Sequence, residues 1–313
     1  MSTAAAHARW TRTTLGEVLE FQRGFDITRS AQREGRVPVI SSGGPSSWHN
    51  VAMSKGPGVV IGRKGSLGGV YYAEGPYWPH DTTLWVRDFK GSHPRFVYYF
   101  LKTLDTRSMD VGSANPALNR NHLHPLQVRW PTTTALQVGI AQVLGALDDK
   151  IAANARLIAT ADQLAAAWFA ALKPVGSGRL ADVATVNAAG VRPTSGSLRY
   201  LDIASVGVGT YEWPSLTPWV SAPGRARRRI DIADTVWSTV RPNRRSHALV
   251  LDEDPEMVGS TGLAVLKATS GGWALLYEMV RTEEFADYLV ASAEGSAYPA
   301  VHPDRFLAAP VPV

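Results

Sequence analysis

Apolar residues along this chain are spaced in two different ways. Over residues 134–172 they recur at helical intervals, with many alanines, no proline, and no glycine besides Gly139 and Gly145. That pattern predicts one long helix. Leu136, Ile140, Val143, Leu147, Ile151, Ile158, Trp168 and Leu172 fall on a single seam, with Asn154, Ala161 and Ala165 at its remaining positions. The steps alternate between fours and threes, apart from a doubled four from Val143 through Leu147 to Ile151, a stutter at which a supercoil unwinds locally. Pro131 and Pro174 punctuate the ends. At ~1.5 Å per residue such a rod would run ~58 Å. An amphipathic helix this long cannot bury its own stripe, so it requires a partner, either another helix of this chain or one of a different chain.

On either side of the rod the pattern shortens to β-type runs broken by Gly, Pro, Ser and Asn, with local helices predicted over 96–102 and 282–291. The flanks resemble each other. Gly112-Ser113-Ala114-Asn115-Pro116-Ala117-Leu118 is answered by Gly295-Ser296-Ala297-Tyr298-Pro299-Ala300-Val301. Leu15-Gly16-Glu17-Val18 is answered by Leu180-Ala181-Asp182-Val183, and the apolar run Val59-Val60-Ile61-Gly62-Arg63 by residues 235–241. Domain, helix, domain is therefore an internal repeat. The expected fold class is α+β, with two similar mixed α/β globular domains, 1–131 and 175–313, joined by a long coiled-coil-type α-helix over 132–174.

Charge changes the picture more than size does. The 313 residues, 45% hydrophobic, are enough for two domains with cores of their own. The formal charge is +5, and all but seven of the 32 cationic residues are arginine, which suits bidentate contacts to phosphate and guanine. A compositional bias of the genome would leave the same mark, so position has to decide. There is no cysteine, which removes disulfides, thiol nucleophiles and the usual structural zinc sites and fits a reducing compartment. Residues 1–14 have no signal-peptide core, and no window approaches the ~18 apolar residues of a membrane span. A cytoplasmic protein with no membrane partner is expected.

Arg225, Arg227, Arg228 and Arg229, followed by Arg241, Asn243, Arg244 and Arg245, concentrate seven arginines in a short stretch opposed by Asp231 and Asp234. Such density would release several counterions from a duplex, although a solvated loop or a patch for an acidic protein would look the same. Asn243 has the side chain to pair bidentately with adenine. Gly62-Arg63-Lys64-Gly65-Ser66-Leu67-Gly68-Gly69 follows an apolar strand and could bring backbone N–H groups and two cations to a phosphate, or be a plain hairpin turn. Trp48, His49 and Asn50, and likewise Asn119, Arg120, Asn121 and His122, could face a groove or serve local packing.

Catalytic patterns fit poorly. The glycine loop lacks the Gly-x-x-x-x-Gly-Lys-Ser/Thr spacing of an ATP-binding loop. Asn115-Pro116-Ala117-Leu118 lacks the second proline and the stacking aromatic of a base-flipping methyltransferase loop. Asp252, Glu253, Asp254 and Glu256 have no lysine at a nuclease-like spacing and suit a solvated turn. The eight histidines offer no zinc or triad spacing. No catalytic residue and no metal ligand is assigned.

The order Leu15-Gly16-Glu17-Val18, Arg23-Gly24, Pro38-Val39-Ile40, Ile61-Gly62-Arg63-Lys64-Gly65, Asn115-Pro116-Ala117-Leu118 and then a long helix resembles the specificity subunits of type I restriction-modification systems, over nearly the whole chain. The resemblance implies a non-catalytic DNA-binding subunit for phage defence. In it, two target-recognition domains each read half of a split site in double-stranded DNA. It assigns Arg23, Arg63, Lys64 and Ser66 of the first domain to DNA, with Trp48, His49 and Arg120 as second-rank candidates, and the arginine-rich stretch of the second. It implies that the seam of Leu136, Ile140, Val143, Leu147, Ile151, Ile158 and Trp168 docks methyltransferase subunits and, through them, restriction or motor subunits. SAM and ATP are then expected in those partners and not in this chain. The family carries a second long helix after its second domain. This sequence reaches Pro310-Val311-Pro312-Val313 without one, so that helix is expected to be missing or supplied by another copy through self-association. The alternative is a stand-alone DNA-modifying or DNA-cleaving enzyme with an unrecognised active site.

Overall fold

In the computed structural model of the protein, residues 9–106, 117–172, 174, 176–191, 195–270, 272–295 and 298–312 are described. The chain divides into two units, residues 1–156 and 157–313, so the long helix contributes to both.

In the first unit the short apolar runs become β1 (Trp10–Thr14), β2 (Glu20–Arg23), β3 (Val37–Ser41), β4 (Gly44–His49), β5 (Gly58–Gly62), β6 (Val70–Ala73), β7 (Trp78–Pro79), β8 (Thr83–Asp88) and β9 (Gln127–Pro131). Helices α1 (Leu15–Val18), α2 (Pro94–Lys102) and α3 (Arg120–Leu123) lie among them. An antiparallel sheet has the order β2-β8-β5-β6, a second sheet the order β4-β3-β7, and β1 pairs with β9 in a ribbon. Leu15, Phe21, Val59, Ile61, Leu84, Phe96, Leu101 and Trp130 share one core; Ile40, Val60 and Tyr77 form a smaller cluster.

The second unit repeats this plan with β10 (Ser177–Arg179), β11 (Ala184–Val186), β12 (Ser197–Leu201), β13 (Leu216–Pro218), β14 (Ala226–Arg229), β15 (Thr235–Ser238), β16 (His247–Leu249), β17 (Met257–Ser260), β18 (Leu263–Ala268) and β19 (Pro310–Pro312). Its main sheet runs β11-β18-β15-β16, its second β13-β12-β17-β14, and β10 pairs with β19. The matched openings share a physical cause. Leu15 and Leu180 are each fully buried at the start of a four-residue helix, α1 and, in the second unit, α5 (Leu180–Val183). Glu17 accepts the Thr14 N–H at 2.8 Å, and Asp182 accepts the Arg179 N–H at 2.7 Å. Residues 112–116, 296 and 297 of the remaining repeat motif lie outside the described residues.

Between the sheets in sequence stands helix α4 (Thr134–Ala171), continuous over 38 residues. Its buried residues are Gln137, Ala141 and Gly145, one helical row that is not the apolar seam. Gln137 Oε1 accepts the His93 N–H at 2.7 Å, and Asp148 accepts the Tyr99 hydroxyl at 2.8 Å. A methyl group added at Gly145 would sit in ordinary van der Waals contact with the Arg95 side chain of α2, 3.5 Å from its Nε. On the seam, Leu136 and Ile140 are half-buried, whereas Val143, Leu147, Ile151, Ile158, Trp168 and Leu172 are 53–69% exposed. Phe169 packs instead against the core of the second unit. No helix among the described residues is long and apolar enough to cross a membrane.

The second core is built around Trp237. It is fully buried, its Nε1 donates to the Val280 carbonyl at 3.0 Å, and it packs against Phe285 and Phe306. His247 stacks on it at 5.6 Å and 12°. Helices α6 (Trp273–Val280), α7 (Glu283–Ala291) and α8 (Pro303–Leu307) complete this layer; α6 was not anticipated from the sequence.

Trp237→Ala should destabilise the second unit by about 3–5 kcal/mol through cavity formation, whereas Trp48→Ala, on a side chain 60% exposed, should stay within about 0.5 kcal/mol. Equilibrium urea unfolding measures both. Burial holds the His247 imidazole below its ordinary pKa. Below about pH 6.5 the unfolded chain therefore takes up a proton that the folded unit refuses. Stability should fall as pH drops below about 6.5, by at most about 1.4 kcal/mol per pH unit from this group. The difference between wild type and His247→Gln, followed by urea unfolding at several pH values, isolates that contribution.

Candidate nucleic-acid interface

The glycine-rich loop of the first unit and the second half of the arginine-rich stretch, Arg241 to Arg245, occupy the same place in the repeated fold, whereas Arg225 to Arg229 lie before and along β14 in the other sheet. In the first unit the Arg63 N–H donates to the Thr82 carbonyl at 2.9 Å and its carbonyl accepts the Leu118 N–H at 2.9 Å. In the second, Thr239 makes the equivalent bonds to Gly262 (2.9 Å) and Val301 (2.8 Å). Lys64 bridges to Ala117 as Val240 bridges to Ala300. The loops close alike, with Gly62 N–H on the Gly69 carbonyl at 2.9 Å and Ser238 N–H on the Ser246 carbonyl at 2.8 Å. Arg63 and Lys64 are thus matched by Thr239 and Val240, and Arg241, Arg244 and Arg245 lie further round the turn of the second unit.

Both loops begin and end in the left-handed region. In the first unit glycines fill these positions, Gly65 at φ 74° and Gly68 at φ 86°; in the second they are Arg241 at 51° and Arg245 at 55°. An arginine there costs roughly 1–3 kcal/mol and persists only where its surroundings compel it, and such positions concentrate at functional sites. The surroundings are visible. The Arg241 N–H donates to the Pro299 carbonyl at 2.8 Å, and its guanidinium lies over the Tyr298 ring at 4.5 Å. The 3₁₀ turn Pro242–Arg244 between them leaves Asn243 and Arg244 exposed. Arg245 turns inward: its Nη2 donates to the Arg281 carbonyl at 3.0 Å, and its own carbonyl lies 2.7 Å from His247 Nδ1.

Along β14, Arg227 and Arg229 are exposed and Arg228 is half-buried, its Nε having no hydrogen-bond partner. Arg225 is exposed just before the strand. The two opposing acids divide their work. Asp231 meets Lys267 at 2.6 Å and Arg229 at 2.8 Å, which hold its pKa below the ordinary carboxylate value. Asp234 is buried, accepts the Asp231 N–H at 2.8 Å, and is pushed up by that burial. Arg225, Arg227, Asn243 and Arg244 therefore remain the exposed polar groups of this stretch with no carboxylate bonded to them.

In the first unit Lys64 and Ser66 are exposed at the loop, and Arg63 is half-buried. Arg23 projects from β2 but is paired with Asp81 at 2.8 Å, which also meets His80 at 3.1 Å. Asp26, His80 and Asp81 bring ligand atoms within 4.8 Å of one another; Arg23 already supplies a cation there. Trp48 is exposed on β4, whereas His49 is 6% exposed, its Nδ1 accepts the Arg33 N–H at 2.9 Å, and its ring meets Trp78 edge-on. His49 thus serves packing, because alternate residues of a strand point to opposite faces. Arg120 is exposed in the first turn of α3, where Asn119 and His122 cap the helix. Within the acidic run, Asp252 accepts the Tyr211 hydroxyl at 2.8 Å and Asp254 accepts Arg199 Nε at 2.8 Å, so both are tied into a surface turn.

Residues 8–163 match the family described as the type I restriction modification DNA specificity domain. No curated protein is similar enough in sequence to count as a match. Among solved structures, the type I restriction-modification system S subunit from M. genitalium is 16% identical, with 97% of this chain and 84% of that one covered at a TM-score of 0.67, which is a likeness of fold. The HsdS subunit from Thermoanaerobacter tengcongensis, 15% identical over 98% of this chain and 85% of its own, superposes more loosely, at a TM-score of 0.36. Residues 8–163 thus belong to the type I restriction modification DNA specificity domain family, and the second unit repeats the topology of that domain.

Proposed function

We propose that this chain is the non-catalytic DNA reader of a type I restriction-modification complex, with each unit reading one half of a bipartite target in double-stranded DNA. The observation that carries this reading is the equivalence of the two β-hairpin loops: one fold, used twice, presents a basic loop at the same position in both units. Arg63 and Lys64, with the N–H groups of a glycine-rich turn, suit a phosphate. Arg225, Arg227 and Arg244 suit phosphates or guanine, and Asn243 suits adenine. The exposed seam from Val143 to Ile158 and Trp168 supports a docking role for α4, where methyltransferase subunits, and through them motor subunits, would bind. SAM and ATP would be bound by those partners, in the cytoplasm. Mapping methylated bases in DNA from cells that express the complete system tests the reading: a split motif is expected, and a continuous motif or none would overturn it.

Arg227→Ala and Arg244→Ala should each weaken duplex binding and reduce the slope of log affinity against log salt by about 1, as one phosphate contact is lost. Binding titrations at several salt concentrations measure this, and unchanged slopes in both variants would remove these residues from the interface. Leu147→Glu with Ile151→Glu should abolish capture of the methyltransferase subunit or self-association, since burying each side chain is worth roughly 1.5–3 kcal/mol, while unit stability stays unchanged because both are exposed. Co-purification and light scattering read the outcome; normal capture by the double variant would place docking elsewhere.

A further inference from the structure

Arg281 follows the last residue of α6, and its carbonyl belongs to the unpaired group at that helix's C-terminal end, where partial negative charge attracts cations. Arg245 Nη2 donates to it at 3.0 Å. The Arg281 side chain runs the other way, onto the long helix. Its Nη1 donates to Asp162 Oδ1, its Nη2 to the Asp162 carbonyl at 3.2 Å, and its Nε to Glu278 Oε2 at 2.8 Å, with Tyr277 beneath the guanidinium at 5.3 Å. Arg281 is 15% exposed, and Asp162, on the outside of the helix, 56%. One residue therefore grips α4 with its side chain and the arginine loop with its backbone.

The loop end that it grips cannot hold itself. Arg245 is left-handed, and its Nε is buried without a hydrogen-bond partner. Its anchors are the Arg281 carbonyl, His247 Nδ1 on its own carbonyl, the Pro242 carbonyl on its N–H at 2.9 Å, and Glu283, which is 3.5 Å away and largely exposed. Strained backbone persists where the surroundings over-determine it, and of the two groups that receive the Arg245 guanidinium the Arg281 carbonyl, at 3.0 Å, is the nearer and Glu283, at 3.5 Å, the more exposed.

We propose that Arg281 is a positioning residue for the DNA-reading loop of the second unit, transmitting the seat of the long helix at Asp162 to Arg245, and through Arg245 to the exposed Asn243 and Arg244. What the loop does rests on the proposed function; how it is held does not. A shift of α4 at Asp162 would pull on the guanidinium fork, rotate the carbonyl at the end of α6, and loosen the strained end of the loop. The long helix, on this reading, sets the base preference of the second unit as well as serving as a spacer.

Amide hydrogen exchange on the full chain, comparing wild type with Asp162→Ala and with Arg281→Lys, tests the relay directly. Lysine keeps the charge but cannot span Asp162 and Glu278 as a planar fork does. The Arg244 and Arg245 amides should exchange about tenfold faster in both variants, while the ladder amides shared by β15 and β18 keep their wild-type rates. Loop amides that do not change would overturn the relay, and so would ladder amides that quicken in step with the loop, since Arg281 would then merely hold the unit together. In parallel, wild type and Asp162→Ala are each used to select duplexes from a randomised pool. The variant should lose base preference in one half of the enriched motif while its salt slope is unchanged; an identical motif would overturn the positioning role. A wild type that enriches no motif would overturn the DNA-reading function, with the exchange data still deciding whether the relay exists.

Discussion

Strands β5 and β15 run through the middle of their sheets with every residue buried. Because side chains alternate across a strand, each feeds two separate apolar clusters. Val59 and Ile61 enter the main core of the first unit while Val60 enters the smaller one with Ile40 and Tyr77. In the second unit Trp237 enters one cluster and Val236 the other. A slip of one residue would exchange the two sets, so the register is strongly specified. The loop that leaves each strand, at Arg63 or Thr239, is placed by that register to within a hydrogen bond. The rest of the site depends on this constraint, for it turns a variable stretch of polar residues into a loop at a repeated position.

The two loops meet the same backbone requirement with different chemistry. Glycine takes the left-handed positions in the first unit without strain; in the second, arginines take them, and the surroundings supply the compensation through Tyr298, His247 and the end of α6. The exchange changes what each loop offers. The first turn brings backbone N–H groups near two cations. The second spends part of its charge inward, on Arg245, and leaves Asn243 and Arg244 outward. Of seven arginines that look alike in sequence, Arg245 and Arg229 are bonded within the protein, while Arg225, Arg227 and Arg244 face solvent without a bonded carboxylate.

Helix α4 separates two kinds of contact that sit on one amphipathic pattern. Its buried row carries Ala141 into the core of the first unit and Gln137 onto the backbone ahead of α2. Its large apolar residues from Val143 onward stay exposed. A monomeric surface seldom leaves such a stripe bare without a use for it. Acidic residues fasten the helix locally: Asp148 to Tyr99 in the first unit, and Asp162 to Arg281 in the second.

The sequence by itself determined the long helix, the existence of an internal repeat and the family. Each rests on local periodicity or ordered motifs: the helical spacing of Leu136 to Leu172, and the pairing of Leu15 with Leu180, which nucleate matching four-residue helices in both units. It also placed the basic stretches, because charge is visible without a fold. Tertiary structure alone decided which members of those stretches are free. His49 alternates inward on β4, Arg245 is captured by a carbonyl 36 residues further along the chain, and Arg241 adopts a left-handed conformation that no residue-type preference announces. It also decided which face of α4 packs: the row of Gln137, Ala141 and Gly145 is buried, while the more apolar residues from Val143 onward stay exposed. Local pattern is a property of neighbours in sequence, whereas burial, pairing and strain are set by groups brought together across long stretches of chain. That is why the loop could be read from the sequence, and the hold that Arg281 has on it could not.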